Sequence, residues 1–178
     1  IFKGNWINEN YFERYRDELL RDFSFPSIID ESNLRYLKDI SSSNSVSVHI
    51  RKGDYVNSGM LNLPVEYYIN AKKVIEIKVE NPKYFIFTDD KKAIADYLNI
   101  FDNYVLVEGN IKEKSYRDMQ LMSLCKHNII PNSTFSFWGA YLNKNPHKIV
   151  VAPDKAKHDF RYPFACKNWI VIPYNGSD

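Results

Sequence analysis

No stretch of this chain is apolar for long enough to cross a membrane, and its opening residues, Ile1-Phe2-Lys3-Gly4-Asn5-Trp6, do not form a secretory signal. A large excess of charge of one sign is also missing. The net charge of +2 is too small to argue for nucleic acid or an anionic membrane as a partner. Cys125 and Cys166 are the only cysteines, so no disulfide framework is expected and reduced thiols are. Cys and His never take the spacing of a metal site. Asp89 and Asp90 are adjacent, unlike the Asp-x-Asp with which many sugar-nucleotide enzymes hold a divalent cation, so no metal is expected. G-x-G-x-x-G after a strand, G-x-x-x-x-G-K-[ST] and G-x-S-x-G are all missing. Dinucleotide oxidoreduction, P-loop hydrolysis and the hydrolase elbow thereby lose their usual support. His127, His147 and His158 have no partner by sequence and read as surface or satisfied core residues.

What is present suits one folded domain. At 178 residues the chain can bury one good core, and 44% hydrophobic with 26% charged residues is ordinary for a soluble globular protein. Aromatics reach 15%, enough for stacking surfaces but mostly core. Residues 8–23 read as a helix with Tyr11, Phe12, Tyr15, Leu19 and Leu20 on one stripe. Ser41-Ser42-Ser43-Asn44 is a polar break, and 45–50 is the first strong strand. Pro64 opens a helix that buries Val65, Tyr68, Ala71, Ile75 and Val79, and Asn81-Pro82 ends it. Strands follow at 84–87, 104–107, 128–130, 148–151 and 168–172. Helices run through Ile94 to Leu98, from a capping box at Ser115 to Asp118 as far as about Lys126, and over 134–143. Short apolar strands alternating with helices predict a Rossmann-like α/β fold, a mostly parallel sheet covered on both faces. The domain is expected over 41–178, after a helical lead-in over 1–40.

In such a sheet, functional groups collect past the carboxyl ends of the strands. Three polar clusters fall there. His49-Ile50-Arg51-Lys52-Gly53-Asp54-Tyr55 offers a guanidinium fork suited to phosphate, a second cation and a glycine for a tight turn. It would equally make a strand end with a solvated charge cluster. Thr88-Asp89-Asp90 offers acceptors for a guanine N1–H and N2–H₂ edge or for ribose hydroxyls, and also good helix caps. Asn132-Ser133-Thr134-Phe135-Ser136-Phe137-Trp138 opens a helix whose free amides suit a phosphate, or is a plain N-cap.

Taken together, the clusters resemble the α1,2-fucosyltransferases, glycosyltransferase family eleven. His49 to Tyr55 resembles that family's H-x-R-R-G-D-Y motif, and Tyr84 to Asp90 its F-x-F-F-S-D-D segment. Met122-Ser123-Leu124-Cys125-Lys126-His127-Asn128-Ile129-Ile130, continued through Pro131 to Asn143, is similar to its M-S-x-C-K-H-N-I-I-x-N-S-[ST]-F-S-W-W-G-A-W-L-N block, which is long and specific. Gly4-Asn5-Trp6 through Tyr11-Phe12 looks like G-Y-W-Q-x-x-x-Y-F. Lys52 stands where the motif has a second Arg, keeping the charge and losing the fork. The family's G-G-L-G-N-Q-x-F-Q-Y segment is absent and the first residue is Ile. The chain therefore reads as the C-terminal, donor-binding part of a GT-B-like enzyme without most of its acceptor half, expected to bind donor without transferring it alone.

The resemblance implies transfer of L-fucose from GDP-β-L-fucose to the 2-hydroxyl of a galactose-terminated glycan, with inversion, no metal and no nucleic acid. It implies a cytoplasmic protein of bacterial-type surface polysaccharide synthesis, with peripheral membrane association as a further expectation. His49, Arg51, Lys52, Asp89, Asp90, Ser133, Thr134, Phe135, Ser136, Phe137 and Trp138 would hold the donor. Arg51 and Asp54 would be catalytic, Asp54 as general base or as the group that orients Arg51. The competing reading is a non-catalytic sugar-nucleotide or carbohydrate-binding module. An adhesion protein presenting Lys52-Gly53-Asp54 leaves the other blocks unexplained.

Overall fold

Ser45, Val46, Ser47, Val48, His49 and Ile50 are all buried along β1 (Asn44–Ile50), which places this strand inside a sheet covered on both faces. The computed structural model describes residues 8–53, 62–154 and 164–173. The other strands are β2 (Pro82–Thr88), β3 (Tyr104–Leu106), β4 (His127–Ile129), β5 (Val150–Pro153) and β6 (Ile170–Ile172). Their order is β3-β2-β1-β4-β5-β6, with every pairing parallel. This is the Rossmann-like doubly wound sheet that the alternation of elements predicts. The order reverses between β1 and β4, where such sheets open a crevice for a ligand.

Parallel neighbours require crossovers, and helices supply them. α3 (Val65–Lys78) joins β1 to β2, a 3-10 turn (Lys92–Ile94) with α4 (Ala95–Leu98) joins β2 to β3, α5 (Tyr116–Leu124) leads to β4, and α6 (Thr134–Tyr141) leads to β5. On one face Val46, Val48, Ile50, Tyr84 and Ile86 pack with Tyr68, Ala71, Ile75 and Ile94. On the other, Phe85 and Phe87 meet Leu121 and Met122 of α5. Fully burying one such side chain contributes roughly 1.5–3 kcal/mol before entropy is counted. α5 and α6 approach so closely that a Cβ on Gly139 would lie 3.0 Å from the Met122 Cβ.

Several local readings change. Residues 8–23 are not one helix but two 3-10 turns, Glu9–Tyr11 and Glu13–Tyr15, followed by α1 (Arg16–Asp22). The tighter 3-10 winding rotates the stripe out of register. Phe12 is therefore buried and Leu19 packs beside it, whereas Tyr11 and Tyr15 face solvent. A further helix, α2 (Glu31–Ser41), is capped by Asp30, whose carboxylate accepts the Asn33 N–H at 3.0 Å. Ile40 and Tyr36 of α2 pack against Phe85 and Phe87, so residues ahead of 41 share the core of the sheet. The capping box at Ser115 does not form. Ser115 closes a 3-10 turn (Lys112–Lys114) in helical backbone geometry, and its side chain caps nothing. β5 begins at Val150 rather than at Lys148: the Ile149 N–H donates to His127 Nδ1 at 3.1 Å instead of to a strand carbonyl, and the Lys148 ammonium donates to the Ala140 and Asn143 carbonyls at 2.6 and 2.8 Å.

Candidate functional site

Past the carboxyl end of β1 the Asp89 carboxylate holds the chain. Asp89, just after β2, sits 3.1 Å from Arg51 Nε and accepts the N–H groups of Lys52 and Gly53 at 2.9 and 3.0 Å. The turn needs glycine here, since a Cβ on Gly53 would come within 2.6 Å of Asp89 Oδ2. Charge-assisted bonds of this kind are the strong ones, so Arg51 is set before any ligand arrives. Asp90 makes a different use of its carboxylate, capping the Lys92–Ile94 turn through the Lys92 and Ala93 amides at 3.0 and 3.3 Å. Lys52 turns away: its ammonium donates to the Tyr97 hydroxyl and lies over that ring, and Tyr97 in turn donates to the Leu63 carbonyl at 3.0 Å.

The clamp forms one wall of a cleft of about 390 Å³. His49, Arg51, Phe87, Thr88, Asp89 and Lys91 line it from β1 and β2. Asn110, Ile111, Lys112, Ser115, Asp118 and Met122 line it from the segment after β3 and from α5, and Phe135 from α6. A cleft of this size accommodates a small organic ligand. His49 is buried, its ring centroid is 5.8 Å from that of Phe135, and its Nδ1 has no hydrogen-bond partner among the described residues. Burial, and then the charge of Arg51, hold its pKa down to about 3, so the imidazole is neutral. Opposite, Asp118 accepts from Asn110 Nδ2 at 2.8 Å through Oδ1. Burial pushes its pKa up to about 6 against that hydrogen bond.

Among the residues expected to bind a donor, the structure brings His49, Arg51, Asp89 and Phe135 to the cleft. Ser133 stands at the start of α6 without making a side-chain cap, beside Thr134. Three expectations are displaced, because a helix turns about 100° per residue and its successive side chains cannot share one face. Ser136 is buried and donates to the Ser133 carbonyl at 3.2 Å. Phe137 lies in the core against Trp169 and Phe164, at 5.1 and 5.7 Å between centroids. Trp138 packs on Phe12 and Phe23, at 5.5 and 5.6 Å. Asp54 lies outside the described residues. The wall after β3 escaped the sequence reading, although Gly109-Asn110 beyond a strand end is the same signal that marked the other clusters. Gly109 takes a φ of +95°, where a side chain would be strained, and Lys112 a φ of +53°.

Both cysteines are free and buried. Among the described residues no helix is long and apolar enough to cross a membrane, and no group of three or more His, Cys, Asp or Glu is placed to hold a metal ion.

Known proteins share this arrangement of sequence. The chain is 38% identical over 161 residues to an alpha-1,2-colitosyltransferase of Escherichia coli, an overlap of 85% of this chain and 54% of that protein. It is 36% identical over 156 residues to the O-antigen biosynthesis glycosyltransferase WbnK of Escherichia coli, with 80% and 50% covered. A galactoside alpha-(1,2)-fucosyltransferase 2 of Rattus norvegicus is 25% identical over 153 residues, with 79% and 43% covered. The chain thus spans about half the length of the curated relatives it matches. Its residues 2–173 match the model of glycosyl transferase family 11, so the Arg51–Asp89 clamp and the α6 block stand in a chain that belongs to that family.

Proposed function

We propose that this chain binds GDP-L-fucose in the cleft and forms the donor side of an inverting, metal-independent galactoside α1,2-fucosyltransferase. The observation that carries the reading is the Arg51–Asp89 clamp across the ends of β1 and β2, beside His49, whose neutral imidazole has an Nδ1 without a partner among the described residues, on the strand that borders the reversal of strand order. In the transfer, the C1–O bond to the β-phosphate breaks and its electron pair passes to the phosphate oxygen. The acceptor 2-hydroxyl oxygen bonds to C1 from the opposite face and gives its proton to a base. With no metal in this reading, the growing phosphate charge is met by the fixed Arg51 guanidinium and the first-turn amides of α6. A preorganised donor of this kind costs no rearrangement at the moment of reaction.

Among the described carboxylates of the cleft, Asp118 is the one that suits the nucleotide end. Asp89 is engaged with Arg51 and two backbone amides, and Asp90 with a helical turn. Asp118 lines the cleft with one oxygen bonded to Asn110, leaving the other for the paired donors of a guanine edge. The name of the 38% identical relative favours a colitose nucleotide as the second donor to try. Asp54 keeps both of its proposed roles, general base or a further partner of Arg51. Titration calorimetry in the absence of metal is expected to show GDP and GDP-fucose binding in preference to ADP and UDP. Equal affinity for ADP, or loss of binding on adding a chelator, would rule the reading out.

A further inference from the structure

Asn33 lies on α2, outside the cleft, and is 2% exposed. Its amide faces that of Asn110, 77 residues away, in a reciprocal pair. Asn33 Nδ2 donates to Asn110 Oδ1 at 2.8 Å, and Asn110 Nδ2 donates to Asn33 Oδ1 at 2.9 Å. The second proton on each nitrogen is also committed. That of Asn33 goes to Asp30 Oδ1 at 2.8 Å, and that of Asn110 to Asp118 Oδ1 at 2.8 Å. Turning either amide over would set nitrogen against nitrogen, so Asn110 has one orientation, and with it one direction in which to hold Asp118. Asp30 anchors the far end, because the same oxygen also caps α2 through the Asn33 N–H. Gly109, in the left-handed region, delivers Asn110 into this pair.

We infer that Asn33 is a positioning residue for the nucleotide subsite, acting through Asn110 to fix the cleft carboxylate of Asp118. The inference rests on the nucleotide reading of the cleft and adds to it a group that touches no ligand. A purely architectural Asn33 would hold α2 against the segment after β3 and do no more. The two roles differ in whether Asn33 acts through Asp118. They also differ in pH dependence, since the Asn110 hydrogen bond favours the charged carboxylate against burial. The ionisable groups sharing the cleft with Asp118 are His49, Arg51, Asp89, Lys91 and Lys112, and Asp30 stands behind the amide pair. Asn33→Ala also takes a hydrogen bond from Asp30, so the Asp118→Asn background is what separates an effect through Asp118 from one through Asp30.

The test is GDP binding by calorimetry between about pH 5 and 8 on the full chain, for the wild type, Asn33→Ala, Asp118→Asn and the double variant. Asn33→Ala is expected to weaken GDP about fivefold at the upper end of that range. It should also raise the pH below which affinity falls, because Asp118 then holds its proton more tightly. In the Asp118→Asn background the same substitution should cost nothing further. An equal loss in both backgrounds, or no loss and no change in the pH profile, overturns the inference while leaving the nucleotide reading intact. Failure of the wild type to bind GDP at any pH overturns both. If Asn33→Ala does not fold, Asn110→Ala breaks the same pair from the other side, and the same cycle with Asp118→Asn decides the question.

Discussion

Ser45, Ser47 and His49 share one face of β1, yet its lower and upper parts treat burial in opposite ways. Below, Ser47 Oγ accepts from Asn128 Nδ2 at 2.7 Å, and that amide also donates to the Met122 carbonyl at 2.8 Å. Asn128 Oδ1 accepts from Asn143 Nδ2 at 2.8 Å, which also donates to the Cys125 carbonyl at 2.7 Å. Ser45 Oγ accepts the Lys126 N–H at 3.0 Å. The network is closed, and it ties β1 to β4, α5 and the end of α6. Two residues beyond Ser47, His49 Nδ1 is just as buried and meets nothing among the described residues. Leaving a buried polar atom without a partner costs roughly 1–3 kcal/mol. The same strand thus uses its lower polar groups in the fold and leaves an upper one unbonded among the described residues, the atom that the proposed function gives to a ligand.

Breaking the closed end should cost stability. Asn128→Ala strands Ser47, Asn143 and the Met122 carbonyl together, and a loss of about 3 kcal/mol is expected. Chemical denaturation measures it, while GDP affinity of the folded fraction should stay within about twofold of wild type. At the open end the sign reverses. On the proposed function, Arg51→Ala should cut the turnover of fucosyl transfer on the order of a hundredfold. Lys52→Ala should cost far less, since its ammonium is engaged with Tyr97 rather than the cleft. Steady-state kinetics that put the two variants level would remove Arg51 from its role.

The sequence made the Arg51 wall legible and left the Asp118 wall hidden, and the reason is physical. Arg51, Lys52 and Gly53 are consecutive, so one short motif carries the whole turn, and its strand is apolar enough to locate it. Asn33, Asn110 and Asp118 come from three separate elements and are polar residues of ordinary kinds. No local pattern shows that their amides pair. The same blindness covered α2, whose Asp30 cap is evident only once Asn33 is seen to fold back on it. On α6 the opposite error arose. Ser133 to Trp138 reads as one polar-aromatic site, but helical rotation sends Phe137 into the core and lays the half-buried Trp138 on Phe12 and Phe23.

The smallest expected effect concerns Asp118 and the sign of its pH linkage. Burial raises its pKa to about 6 from an ordinary 3.8, so the folded state binds the extra proton between those values. Its contribution to stability is therefore full at low pH and lost as pH rises through 6. Asp118→Asn should stabilise the protein by about 1 kcal/mol near pH 7.5, where the charged form would otherwise be buried, even as it weakens GDP. Melting curves across that range would show the gain vanishing toward pH 4. A variant less stable than wild type at every pH would mean that the carboxylate is structural.

The most direct measurement is a structure of the protein with GDP bound. The account predicts the diphosphate at hydrogen-bond distance from the Arg51 guanidinium, the base edge on Asp118, and a ligand or water atom newly bonded to His49 Nδ1. GDP seated elsewhere, for example in the cavity of about 530 Å³ lined by Arg16, Tyr141 and Lys148, would contradict it.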